Sequence, residues 1–307
     1  MNKKSNRDEV NKVVILMSTF NGERYLKEQL DSIFRQTHRN LELLVRDDGS
    51  TDNTMSILDE YANIHPNMKY YKGENLKPAR SFLDLLHRAP DSNYYAFADQ
   101  DDVWLPEKIA AAIGLLQNNM ADFYYSQTTP VDSELNILSY KSLVPMSTLG
   151  SSLVYASVTG CTVVFSRRLL EIVISYYPDF IMMHDAWIYK IALSTGCRVV
   201  FDNNSCVLYR QHNNNAVGAN RGWKKKCLER LHTFISPTCA RSKEAEELYK
   251  GFSDKMAMIE KVIVKRIADY KSFSLWDRMK IALSSDYHCG QVIYDCIFFF
   301  AIITKRF

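Results

Sequence analysis

With 307 residues, 47% of them hydrophobic, the chain can bury a sizeable core, which suggests one large domain with an appendage. A net charge of +3 lacks the clustered basic excess of a nucleic-acid binder, so no nucleic-acid partner is expected. The seven cysteines are scattered without a C-x-x-C pair, which reads as reduced, mostly buried small residues of a cytoplasmic protein and argues against a zinc site.

The start, MNKKSNRDEV before the short apolar VVILM, fits no signal peptide. Val13 to Met17 is a continuous apolar run, as expected of a strand buried on both faces. A helix follows with Tyr25, Leu26, Leu30, Ile33 and Phe34 on one face. Leu41 to Val45 is the next strand, and Asp52 can cap a helix carrying Met55, Leu58 and Tyr61. Met68 to Tyr71 is a third strand, and Pro78 opens a helix with Phe82, Leu83 and Leu86. Tyr94 to Ala98 is a fourth, and Pro106 opens a helix with Ile109, Ile113 and Leu116. Strands alternating with helices predict an α/β fold with a mainly parallel sheet flanked by helices, whose ligands gather at the carboxyl ends of the strands. Those ends are Ser18 to Asn21, Asp47 to Ser50 and Asp99 to Asp102.

Beyond Ser126 the pattern loosens. Cys161 to Phe165 and Val199 to Phe201 read as strands, and Asp185 to Leu193 as a helix. From about Asn220 long charged helical patterns appear, including Ser242 to Tyr249 and Asp254 to Tyr270. The expected division is a large α/β domain over 1–218 and a helical region over 219–307.

The strongest local signal is Asp99-Gln100-Asp101-Asp102-Val103-Trp104. Three carboxylates in four residues repel one another unless a cation lies among them. Hard divalent ions such as Mg²⁺ or Mn²⁺ take oxygen ligands and commonly bridge to substrate phosphates; the alternative is a solvated acidic turn, against which the apolar and aromatic flanks speak. The second signal is Arg46-Asp47-Asp48-Gly49-Ser50, an acidic pair at a strand end where a carboxylate can accept a hydrogen bond from a base N–H or a ribose hydroxyl. D-G-S is equally an ordinary turn. No G-x-x-x-x-G-K and no G-x-G-x-x-G is present, and Gly22 is the only glycine before Gly49. That argues against a P-loop enzyme and a dinucleotide oxidoreductase.

Ser18-Thr19-Phe20-Asn21-Gly22, then Arg46 to Ser50, then Asp99 to Trp104, in this order and spacing, resemble the family-2 inverting glycosyltransferases of GT-A fold. Thr159-Gly160-Cys161, His184-Asp185-Ala186-Trp187 and Tyr209-Arg210-Gln211-His212 extend the resemblance, the last towards a bacterial rhamnosyltransferase-like branch. The resemblance covers roughly residues 12 to 218. It implies transfer of a sugar, L-rhamnose in that branch, from a dTDP- or UDP-sugar to a glycan or lipid-linked glycan acceptor in surface polysaccharide synthesis. Phe20 and Asp48 would hold the nucleobase, with Ser18 and Glu23 nearby. Thr19, Asn21, Asp47 and Gln100 would belong to the same nucleotide-sugar side. Asp99 and Asp101 would be the metal pair, Asp101 the direct ligand of Mn²⁺ or Mg²⁺. Asp185 would be the general base, its rival role a helix cap. Glu23 could instead meet the dipole of the first helix. Arg210 and His212 would close over the diphosphate, and Gly160, Cys161 and Trp187 would lie on the acceptor side. The sequence departs from many relatives at Lys77, where they carry glycine. Lys77 and Arg80 could meet the diphosphate, or lie on a surface helix. A sugar nucleotidyltransferase and a non-catalytic nucleotide-sugar binding module are the competing classes.

The last stretch, Val292 to Ile303, is apolar, interrupted by Asp295 and followed by Lys305 and Arg306. It is too short to span a bilayer. With the basic cluster Gly222 to Lys226 it suggests a peripheral contact at the inner face of the cell membrane, against the alternative of a packed helical cap.

Overall fold

The structure, a computed structural model, describes residues 11–139, 146–211 and 240–307. Eight strands form one sheet in the order β3-β2-β1-β4-β7-β6-β8-β5. They are β1 (Val13–Thr19), β2 (Leu41–Asp47), β3 (Met68–Lys72), β4 (Tyr94–Ala98), β5 (Val103–Trp104), β6 (Phe123–Val131), β7 (Val164–Ser166) and β8 (Val199–Arg210). β3, β2, β1 and β4 run parallel, as do β6 and β8, while β7 and β5 pair antiparallel with their neighbours. The sheet is therefore mixed but mostly parallel, as expected.

The helices are α1 (Leu26–Phe34), α2 (Thr54–Ile64), α3 (Lys77–Arg88), α4 (Lys108–Asn118), α5 (Leu149–Val154), α6 (Arg167–Ile174), α7 (His184–Ser194), α8 (Ala240–Phe252), α9 (Met258–Ala268), α10 (Leu275–Ala282) and α11 (Val292–Ile303). The first four strands and helices lie where the apolar periodicity puts them. The segment read as a strand from Cys161 differs: Gly160–Thr162 is a 3₁₀ turn, and only Val164–Ser166 pairs. The strand expected over Val199 to Phe201 is longer: as β8 it pairs with β6 through to Arg210 despite its polar middle.

The chain separates into two compact units, and no single boundary divides them. The first comprises Met1–Ser142, Val158–Ile174 and Arg198–Asn215, and the second Leu143–Ser157, Ser175–Cys197 and Ala216–Phe307. The single division placed at 218 therefore misses two earlier segments, one of which carries α7. The first unit holds the whole sheet and a core of Val13, Ile15, Met17, Leu30, Leu43, Val45, Ile113 and Leu116, among others. Each such side chain contributes about 1.5–3 kcal/mol by leaving water. The second unit is helical. Within it, Trp187 of α7 packs on Phe252 of α8 at 5.9 Å between ring centroids.

In the first unit β1 lies between β2 and β4, so the chain winds outward through β3 and returns to the other side of β1. Such a switch point opens a crevice at the carboxyl ends of the strands. Thr19 is level with Asp47, and Met17 with Ala98. The three motif-bearing loops thus leave the sheet along one edge.

Candidate active site

The loops after β1 and β2 are stitched together. Asp47 is buried; its Oδ2 accepts the N–H groups of Gly49 and Ser50, at 3.0 and 2.9 Å, and its Oδ1 the Thr19 hydroxyl at 3.2 Å. This fixes the turn, and Gly49 takes φ +84°, which favours glycine. Asn21 also has positive φ, 48°, tolerable for this residue type; its N–H donates to Ser50 Oγ at 2.8 Å and its Oδ1 accepts Thr51 N–H at 2.9 Å. Buried Thr19 and Asp47, expected on the nucleotide side, instead build the loop that others line.

Asp48 is also buried. Its carboxylate is paired with the Arg46 guanidinium and accepts the Ser81 hydroxyl. Arg46 is itself held by Asp84 at 3.1 Å and by the Glu74 carbonyl at 2.9 Å. Arg46 stood in the second sequence motif without a role of its own, and Ser81 did not stand out. Glu23 accepts the N–H of Asn53 at 3.0 Å and its side-chain amide at 2.8 Å. Asn53 is the cap position of α2, so Glu23 serves the second helix and not the first. Asp52, read as a cap, lies one residue before the cap position Asn53, and its Oδ1 accepts Thr54 N–H at 3.0 Å.

Gln100 reaches from the acidic loop to the first loop. Its Oε1 accepts Phe20 N–H at 2.9 Å, and its Nε2 donates to the Phe20 carbonyl at 3.1 Å. A Cβ on Gly22 would lie 2.4 Å from that Oε1, so only glycine admits the brace. The Phe20 ring above it remains 45% exposed. Ser18 is half-buried beside it. Lys77 is exposed at φ +64°, at the position where the resembled family's glycine would be unstrained; Arg80 is half-buried.

In the acidic loop, Asp99 and Asp101 are half-buried, whereas Asp102 is 0% exposed. Asp102 Oδ1 accepts Arg210 N–H at 3.0 Å, and its buried Oδ2 has no nitrogen or oxygen partner. Burial, then the neighbouring Asp101 charge, pushes the Asp102 carboxyl up to about 7; a hydrogen bond from the Cys161 thiol opposes this. Ligand atoms of Asp99, Asp102 and Cys161 lie within 4.8 Å of one another. Burial, and then the Asp102 and Asp99 charges, raise the Cys161 thiol well above its usual value, so it stays protonated. Cys161 and Gly160 are therefore buried next to the acidic loop and not open to an acceptor. Beneath lies Lys108, 1% exposed, its Nζ 3.4 Å from the Trp104 ring centroid; burial pushes it down to about 7.

Arg210 was expected to close over the diphosphate. Its guanidinium is instead buried and spent on protein: Nε donates to the Asp101 carbonyl at 2.8 Å, and the other nitrogens meet the Ser133 carbonyl and Glu28. The group stacks 4.3 Å from the Tyr25 ring centroid. It clamps the acidic loop from behind. His212 lies outside the described residues, as does the Gly222 to Lys226 cluster.

In the second unit, Asp185 is the second residue of α7 and half-buried, its Oδ1 accepting Ala186 N–H at 2.7 Å. Met183 occupies the cap position, so Asp185 is not the helix cap. His184 is buried, and burial pushes its imidazole down to about 3, leaving it neutral. Trp187 is fully buried core, which removes it from the acceptor side.

Residues 14–186 match the profile described as glycosyl transferase family 2. The chain belongs to this family. The glycosyltransferase is 32% identical over 231 residues to the dTDP-rhamnosyl transferase RfbG of Shigella flexneri, covering 68% of this chain and 76% of that one. It is 30% identical over 160 residues, 52% of this chain and 62% of the other, to WfgD of Escherichia coli, described as a UDP-Glc:alpha-D-GlcNAc-diphosphoundecaprenol beta-1,3-glucosyltransferase. Among solved structures, Staphylococcus aureus TarS 1-349 in complex with UDP-GlcNAc superposes with a TM-score of 0.56 at 17% identity, covering 96% of this chain and 91% of that one. The mannosyltransferase PcManGT of Pyrobaculum calidifontis, in complex with GDP-Man and Mn²⁺, superposes with a TM-score of 0.56 at 18% identity, covering 96% and 87%. These likenesses show the GT-A fold.

The residues of this glycosyltransferase fit a hard divalent cation. The donors at the end of β4 are the half-buried carboxylates of Asp99 and Asp101 in front of the buried Asp102, and the adjacent sulfur is a neutral thiol unsuited to displace them. Among the described residues, no helix is long and apolar enough to cross a membrane.

Proposed function

We propose that this glycosyltransferase inverts the anomeric centre while moving L-rhamnose from a dTDP- or UDP-linked donor to a hydroxyl of a glycan or lipid-linked glycan. The observation that carries the donor half is the exposed Phe20 ring, braced by Gln100 at the switch point of the sheet, with the acidic loop beside it. A pyrimidine base stacks on Phe20 and is read by Asp48, which is paired with Arg46. Ser18, Lys77 and Arg80 complete the contacts to the nucleotide-sugar. Asp99 and Asp101, the two solvent-reachable carboxylates of the loop, hold Mn²⁺ or Mg²⁺, with Asp102 closed off behind them. When bound, the ion supplies positive charge against the diphosphate leaving group. Asp185 takes the proton of the acceptor hydroxyl as its oxygen attacks the anomeric carbon. The C–O bond to the diphosphate breaks as the new glycosidic bond forms on the opposite face.

The dTDP-rhamnosyl transferase relative supports rhamnose, and the diphosphoundecaprenol-directed relative supports a lipid-linked acceptor. The test is transfer and thermal shift with dTDP-L-rhamnose and a panel of UDP-sugars, with and without Mn²⁺, for wild type and Asp101→Ala. A binder raises the melting temperature as its concentration exceeds its Kd. Full wild-type turnover in EDTA, or in Asp101→Ala, sinks the metal assignment; indifference to dTDP-L-rhamnose sinks the sugar.

The second unit also supports a peripheral contact with anionic lipid on the cytoplasmic side of the membrane. α11 buries Tyr294, Phe298, Ala301 and Ile302, yet its other face is apolar too, with Val292 78% and Phe300 66% exposed. Trp276 on α10 is 67% exposed, and Lys271, Lys280, Lys305 and Arg306 are exposed nearby in sequence. Apolar groups beside lysines suit the headgroup layer.

A further inference from the structure

The segment 175–183 that leads into α7 has almost no regular structure of its own, yet it delivers Asp185. Two glutamates one turn apart on α8 hold it. Glu247 Oε2 accepts Asp179 N–H at 2.7 Å and the Tyr176 hydroxyl at 2.8 Å. Glu244 Oε1 accepts Met182 N–H at 2.8 Å, and its Oε2 is paired with Lys190 of α7. Glu244 is 1% exposed and Lys190 4%. One carboxylate therefore grips the backbone three residues before Asp185 and the side chain five residues after it.

A buried ion pair of this kind is a poor source of stability, because desolvating both charges consumes most of their attraction. Well-packed apolar residues would hold two helices together at least as well. What the pair adds is direction: the bidentate carboxylate fixes both the register and the rotation of the first turn of α7 against α8.

We infer that Glu244 is a positioning residue for the reaction, setting the orientation of the Asp185 carboxylate through Met182 and Lys190. This rests on the reading of Asp185 as general base. A displaced base is costly, since misplacement by about 1 Å can lose on the order of 10²-fold in rate.

The experiment compares wild type, Glu244→Gln, the double variant Lys190→Met/Glu244→Met, and Asp185→Asn in the full chain, reading the melting temperature, donor KM and kcat of transfer. Glu244→Gln strands a buried ammonium and lowers the melting temperature; its kcat falls about 10- to 100-fold with donor KM within about twofold. The double variant regains the melting temperature, because no charge is left unpaired, but kcat stays low, because Met182 N–H has lost its anchor. If kcat recovers together with the melting temperature, Glu244 is structural only and the inference is overturned. Wild-type kcat in Glu244→Gln overturns it as well. Asp185→Asn separates the two readings: its full activity would remove the base itself, whereas an inactive Asp185→Asn beside active Glu244 variants removes only the positioning role.

Discussion

The side-chain amide of Gln100 spans both polar groups of the Phe20 peptide segment, accepting its N–H at 2.9 Å and donating to its carbonyl at 3.1 Å. Eighty residues separate the two in sequence, so this pair joins the end of β1 to the end of β4. If Phe20 is the platform for the base, Gln100→Ala weakens nucleotide binding without touching the ligand. We expect a loss of about 1 kcal/mol in UDP or dTDP affinity, and about 0.5–1.5 kcal/mol for Phe20→Ala. Calorimetric titration of both variants checks this; equal affinity for Phe20→Ala and wild type would take the base elsewhere.

Lys77 gives a prediction in which two readouts move apart. Its φ of +64° strains any residue with a Cβ, and Lys77→Gly relieves that at one exposed position. Stability should rise by about 1 kcal/mol in urea unfolding. If Lys77 also meets the diphosphate, donor KM rises in the same variant. A more stable enzyme with unchanged KM would make Lys77 a surface residue only.

Asp185→Asn retains an oxygen to accept the Ala186 N–H, so α7 should begin where it does now. It cannot take a proton, and kcat should fall about 10²–10⁴-fold at unchanged donor affinity. Transfer rate and donor affinity measured side by side decide between a base and a first-turn acid that only favours the helix dipole.

The pH dependence follows from two buried groups. Asp102 is raised from 3.8 to about 7 in the fold, so the folded state binds the extra proton and this contribution falls away as pH rises from about 4 to 7. Lys108 is lowered from 10.5 to about 7, so the unfolded state holds the extra proton and stability returns between about 7 and 10.5. Together they give the ion-free enzyme a stability minimum near neutrality. Mn²⁺ should fill that minimum by favouring ionised carboxylates, and its effect on the melting temperature should grow from pH 5 to 8. Asp102→Asn should flatten the acid limb. An acid limb that persists in this variant assigns it to other carboxylates.

For the lipid contact, the double substitution Trp276→Ser and Phe300→Ser removes two exposed apolar groups and should leave the fold intact. Co-sedimentation with vesicles containing phosphatidylglycerol should drop severalfold, and more salt should weaken the wild type. Equal sedimentation of both proteins would favour the packed-cap reading.

The sequence by itself determined the alternation of strands and helices over the first 120 residues and the three polar loops at the strand ends. Apolar runs such as Val13 to Met17 and turn chemistry such as Asp47-Asp48-Gly49 act locally, so periodicity and residue type are enough to read them. The order of these motifs also carried the family, which residues 14–186 match. Only the tertiary structure decided which acidic and basic groups face one another. Asp102 meets Arg210 across 108 positions of sequence, and Cys161 joins them because β7 lies beside β4. No local pattern encodes such partners, since they depend on the order of strands in the sheet. The same holds for Trp187, whose place in a short His-Asp-Ala-Trp motif suggests a ligand contact. The packing of α7 on α8 turns it inward, because an apolar indole gains more by leaving water against Phe252 than by remaining at the surface.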